Sequence, residues 1–127
     1  MSNPTFVQGP ITFEAAEKVE KFTLVTVDGD GKIKPAGAEG AVFGAVTEVA
    51  DPGSYAKPNH VGVHYGPAAV KLLVDGGDAS GFKAGDAVFA SAGGKVAKTG
   101  TVQVGVAVRA GEGERVLTVL NSLPTAG

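Results

Sequence analysis

His60 and His64 are the first residues in this 127-residue chain to invite a chemical reading, because two imidazoles four residues apart hold metals when they share a helix face. Pro58 and Gly62 bound a strand there, not a helix. In a strand the same spacing keeps both rings on one face, about two pleats apart. No Cys and no neighbouring carboxylate completes a ligand set, so the pair is expected to be solvent-exposed or at an interface, with no metal. The Gly-rich stretches GGDASGFKAG and AGGKVA fail the phosphate test. Phe82 stands between Gly81 and Lys83, and Lys95 is followed by Val96 where a nucleotide loop needs Ser or Thr. Ser2, Ser54, Ser80, Ser91 and Ser122 sit in no nucleophile elbow. Asp28 and Asp30 open like a calcium loop but lack its downstream Glu and flanking helices, which makes DGDG a hairpin turn. Asp75 with Asp78, and Glu112 with Glu114, fall in Gly-rich connections where solvated charge is the ordinary explanation. The expectation is a protein that is not an enzyme and carries no cofactor.

The elements behind these residues are β in character. Val and Ala dominate the apolar 43%, and Val is stiff at χ1, which favours a pleated strand. Twenty Gly and seven Pro punctuate the chain without reaching low-complexity levels. Eleven basic and 13 acidic residues, net −2, are scattered, so no basic stripe stands ready for phosphates, and 6% aromatics with no Trp offer no stacking platform. Nucleic acid is therefore not an expected partner. Nor is a membrane, since no apolar run approaches the length of a span and MSNPTFVQGP lacks the pattern of a signal peptide. Synthesis in the cytoplasm, as a soluble and unprocessed chain, is expected.

Residues 1–10 read as an extended arm, 11–121 as one β domain, and 122–127 as a flexible tail. EAAEKVEK (14–21) has the propensity for one short helical turn. Strands follow at FTLVTV, KIKPA, AVFGAVTEV, VGVHY, AAVKLLVD, DAVFAS, KVAKT, VQVGVAVR and ERVLTVLN, with DPGSYAKPNH as a long exposed loop. Roughly nine short strands suit an all-β fold, a small antiparallel sandwich or barrel. Two stretches look alike: FTLVTVDGDGKIKPA then VFGAV, and DAVFASAGGKVAKT then QVGVAV, which puts Gly44 and Gly105 in matching places. The copies differ in spacing by two residues, so the likeness fits either a degenerate duplication or, slightly better, two hairpins obeying the same rules.

The ordered run FTLVTVDGDGKIKPA, VFGAVTEVA, SGFKAGDAVFASAGGKVAKT and VGVAVRAGEGERVLTVLN resembles the decoration (cement) proteins of tailed-phage capsids, from about Ile11 to Asn121. That resemblance implies a homotrimer on the outer capsid surface of the virion, made in the host cytoplasm, bracing major capsid protein subunits without substrate or cofactor. The N-terminal arm and the 51–60 loop depart from the family pattern. Pro4, Phe6, Val7, Tyr55, Lys57 and His60 are the expected capsid or subunit contacts, because an extended arm can add main-chain hydrogen bonds to a neighbour. Many modest contacts on one shell act multivalently. The competing expectations are a tail-tube or head-completion component and, from another class, a hydrolase or ligand-binding barrel, for which no convergent polar cluster is visible.

Overall fold

Runs of Val alternating with Gly-rich turns fold as strands, and among the described residues there is no α-helix. The computed structural model describes residues 9–125. Its strands are β1 (Ile11–Glu14), β2 (Thr23–Val27), β3 (Ile33–Pro35), β4 (Gly44–Val46), β5 (His60–His64), β6 (Ala69–Leu73), β7 (Ala87–Ala90), β8 (Val96–Ala97), β9 (Gln103–Ala107) and β10 (Arg115–Val119). They form two five-stranded antiparallel sheets, ordered β1-β5-β4-β2-β3 and β6-β10-β9-β7-β8. None of the described residues forms a helix long and apolar enough to cross a membrane.

The second order is the first with every strand advanced by five, and the correspondence reaches single hydrogen bonds. Ala15, just past β1, bridges Ile33 of β3 in parallel, and Val74, just past β6, bridges Val96 of β8 in the same way. The next amide donates identically in both: Ala16 N to Ile33 O and Asp75 N to Val96 O, each 2.8 Å. Each sheet therefore rolls until its two outer strands meet, giving two small barrels in tandem. Gly44 lies opposite Val25 and Gly105 opposite Val88. A Cβ on Gly44 would fall on the carbonyl oxygen of His64, and one on Gly105 on that of Val119. These two glycines thus match in structure as they do in sequence, for the reason that a strand end crosses directly over each. The repeat is the whole five-stranded unit, wider than the two look-alike hairpins of the sequence.

Two cores result. Val19, Val25, Ile33, Val46 and Val63 are completely buried inside the first barrel. Val74, Phe82, Val88, Val96 and Val116 fill the second, and the same cluster takes in Leu24 and Ala45. Leu24 alternates with Val25 along β2 and so points out of the first barrel. The outer wall of one barrel is thereby part of the core of the other. Two backbone bonds fasten the contact, Leu73 N to Phe22 O at 2.8 Å and Gly94 N to Ala36 O at 2.7 Å.

The expected all-β fold of roughly nine short strands is borne out, with ten among the described residues because ITFE pairs with β5 as β1. Two expectations change. Residues 14–21 form no helical turn. Ala15 N, Ala16 N and Val19 N donate instead to Asn59 O, Ile33 O and Ala50 O, each at 2.8 Å, while Ala15 and Val19 enter the first core. The expected flexible tail starts with residues that are tied down: Leu123 is buried, Thr125 N donates to Val42 O at 2.8 Å, and Val42 N donates to Thr125 Oγ1 at 3.0 Å. The DGDG segment is the hairpin turn its composition calls for. Asp28 N donates to Lys32 O, Gly31 takes φ 77°, and Asp28 Oδ1 accepts the amides of Asp30 and Lys32.

Candidate interaction surfaces

Of the expected contact residues, Pro4, Phe6 and Val7 lie outside the described residues. Tyr55 and Lys57 stand on the 51–59 loop, which is shaped from within. Asp51 N donates to Pro58 O, Asp51 Oδ1 accepts the Gly53 amide at 2.9 Å, and Ser54 Oγ accepts the Ala56 amide at 3.2 Å. Tyr55 is the most exposed large hydrophobic residue among those described, and Lys57 is exposed beside it in the loop. Among the described residues, neither side chain has a hydrogen-bond or ion-pair partner. His60 begins β5, with Nδ1 2.8 Å from Asn59 Oδ1.

His60 and His64 occupy one face of β5 with Gly62 between them. A carboxylate unseen from sequence stands beside His60: its Nε2 is 3.7 Å from Glu14 Oε1, because β1 pairs Glu14 with His60. Glu14 is committed elsewhere, to Lys32 Nζ at 3.0 Å. That hydrogen bond and the lysine's charge hold the Glu14 carboxyl below its ordinary range and raise Lys32. Among the described residues no three His, Cys, Asp or Glu side chains converge as metal ligands. The Gly-rich connection before β7 spends its polar groups on its own turns. Asp78 Oδ1 accepts the Ser80 amide, which lowers the Asp78 carboxyl, and Asp86 Oδ2 accepts the Lys83 amide.

Two surfaces emerge that composition did not reveal. The first is an aromatic row at the end of the first barrel, Phe13 against Phe43 with ring centroids 5.3 Å apart and Phe43 against Tyr65 at 5.9 Å, both edge-on. All three are only half-buried. Their places in the second barrel belong to Leu72, Val104 and Leu120. Phe13 faces Val61 as Leu72 faces Val116, Phe43 precedes Gly44 as Val104 precedes Gly105, and Tyr65 follows His64 as Leu120 follows Val119. The three second-barrel residues are fully buried, in the cluster that includes Leu24 and Ala45. Among the described residues the aromatic row is the same surface left partly exposed, with Phe13 and Phe43 packed against the first core.

The second is a groove of about 330 Å³ lined by Lys71 of β6, Arg115 and Leu117 of β10, and Arg109, Ala110 and Glu112 of the β9–β10 connection. Sequence scatters these cations; strand register gathers them. The Arg115 guanidinium carbon lies 4.7 Å from the centre of the Phe22 ring. Phe22 has φ 63°, alone among non-glycine residues described. Its N–H donates to Val46 O just as Gly85 N–H donates to Ala107 O, so a phenylalanine fills the left-handed position that the second barrel gives to glycine.

No protein-family model matches the chain, and no curated protein matches it. Among solved structures it is similar to the crystal structure of the head fiber gp8.5 N base in bacteriophage phi29. The TM-score is 0.63 at 22% sequence identity, covering 93% of this chain and 98% of that one. At that identity the likeness speaks to the fold.

Proposed function

We propose that this chain is a capsid decoration protein, a non-enzymatic component that binds the outer surface of a phage head as a homotrimer and braces neighbouring major capsid subunits. The observation that carries the reading is the fold shared, over nearly its whole length, with the base of a phage head fiber. The order of sequence segments that resembles decoration proteins supports it independently. Neither cofactor, nucleic acid nor membrane has a part in this role.

Self-association is supported by the aromatic row, which the described residues leave partly exposed. In the second barrel the corresponding residues are buried in one cluster with Leu24 and Ala45; the positions matching these two on the second barrel's own outer wall are Ala87 and Val106, both half-buried. The wall of a second copy therefore offers Phe13, Phe43 and Tyr65 what the first barrel offers Leu72, Val104 and Leu120. Such a contact runs head to tail, and head-to-tail contacts close into rings when the rotation permits.

The test mixes the purified protein with expanded, undecorated heads and measures saturable surface binding, alongside mass in solution. Saturable binding by a trimer is the expected result. No binding to heads refutes the role, and an open tube or large ring moves the protein to the tail.

A further inference from the structure

We propose that the β6–β10 groove is the grip of this protein on its partner, and that its ligand is an acidic protein segment whose Asp or Glu carboxylates seat between Lys71, Arg109 and Arg115. The head shell as bearer of that segment rests on the role proposed above; the chemistry of the groove does not.

The tandem barrels supply an internal control. Lys71 lies opposite Leu117 as Thr12 lies opposite Gly62, and Arg115 lies opposite Leu73 as His60 lies opposite Glu14. Arg109 stands two residues past Ala107, which faces Thr118, just as Glu48 stands two past Val46, which faces Val63. A second groove occurs at the matching place in the first barrel, lined by Thr12, Glu48, His60 and Gly62 among others. Identical backbone positions thus carry Lys, Arg and Arg in one barrel and Thr, Glu and His in the other. Folding of this unit does not call for cations there.

Four further facts point to a carboxylate ligand. Lys71, Arg109 and Arg115 are exposed and none is ion-paired to a described residue; Lys21, Lys34, Lys57, Lys83 and Lys95 are equally unpaired, and what sets the three apart is that they line one groove. Among the described residues Glu112 is the one acid lining the groove, so the groove's field is locally positive on a chain of net charge −2. The Phe22 ring, held in a left-handed backbone position, backs the Arg115 guanidinium and leaves the guanidinium's edge for two parallel hydrogen bonds to a carboxylate. Leu117 gives the floor an apolar patch for the ligand's methylene groups.

The experiment has two arms. In the first, a polyglutamate peptide is titrated into the full-length protein and followed by amide and guanidinium NMR shifts. Shifts centred on Lys71, Arg109 and Arg115, absent from the K71E/R109E/R115E variant and retained in E48Q/H60Q, are expected. Absence of such shifts, or stronger displacement by oligothymidylate than by the peptide, overturns the proposal. In the second, binding to undecorated heads is measured from about 50 to about 300 mM salt, where a charged grip weakens by about tenfold or more. The triple reversal is expected to lose head binding while keeping the wild-type solution mass; the single changes K71Q, R109Q and R115Q, which leave folding less disturbed, each lose about threefold. Head binding by the triple variant equal to wild type overturns the groove as the grip. Peptide binding without any head binding by the wild type refutes the decoration role and supports the groove's preference for carboxylates.

Discussion

Gly44 and Gly105 show how far one missing side chain can decide a fold. Each lets a strand end pass directly over the backbone, His64 in one barrel and Val119 in the other, and a methyl group at either place would meet a carbonyl oxygen that cannot move alone. Gly44→Ala and Gly105→Ala are each expected to lower stability by about 2–3 kcal/mol in urea unfolding. Gly29→Ala, in open space, should change it by less than about 0.5 kcal/mol. Charge adds a pH dependence. Glu14 and Asp28 are held below their ordinary values of 4.5 and 3.8, Glu14 first by its hydrogen bond to Lys32 and Asp28 first by the Lys32 amide. Depressed carboxyls contribute stability above their unfolded values and lose it as pH falls through the folded ones, so the melting temperature should hold from neutral pH to about pH 5 and then decline. Asp28→Asn keeps an amide acceptor in the turn and should flatten part of that decline; an unchanged acid slope would refute the assignment. The pairing of Gly44 with Gly105 was legible from sequence because both follow the same hairpin pattern. Phe22 was not, since nothing local marks a phenylalanine as holding a glycine's place; only alignment of the two barrels, KVEKFT on GFKAGD, reveals it.

At the scale of the element, local and distant pairing differ in what they write into the chain. The hairpins β2–β3 and β7–β8 were readable because their turns need glycine at positive φ, as Gly31 and Gly94 supply. β1 was missed because its partner lies far along the chain: Ile11 faces Val63, and ITFE bears no mark of that pairing. EAAEKVEK misled for the converse reason, a real helical propensity overridden once its amides found carbonyls on three different segments. The wall shared by the barrels gives a test at this scale. Leu24 is fully buried although it points away from its own barrel's core, so Leu24→Ala should cost about 2–5 kcal/mol and weaken both barrels together in hydrogen exchange. Protection lost from the first barrel alone would mean that the two cores are not coupled.

The whole molecule is one motif used twice and unequally. The corresponding end of the second barrel is fully buried in a cluster with residues of the first, whereas among the described residues the end of the first barrel is half-buried at Phe13, Phe43 and Tyr65, residues drawn from three distant segments and invisible as a group in sequence. Under the self-association proposed above, Phe43→Asp is expected to lower the solution mass to that of a monomer with the folded β signature preserved; an unchanged mass would remove the aromatic row from the proposed self-contact. The cationic groove was hidden for a similar reason, because Lys71 joins Arg109 and Arg115 only through the β6–β10 register.

Rolling each sheet until Ala15 meets Ile33 and Val74 meets Val96 also bears on crowding. An open five-stranded sheet has two rows of unpaired amides and carbonyls, and chains held at high density by such edges zip into fibrils. Here the outer strands spend part of those edges on each other. β3 ends in Pro35, which has no amide proton to offer, and β8 is two residues long. Among the described residues, less free strand edge is therefore left for backbone pairing between neighbouring copies than an open sheet of the same size would offer.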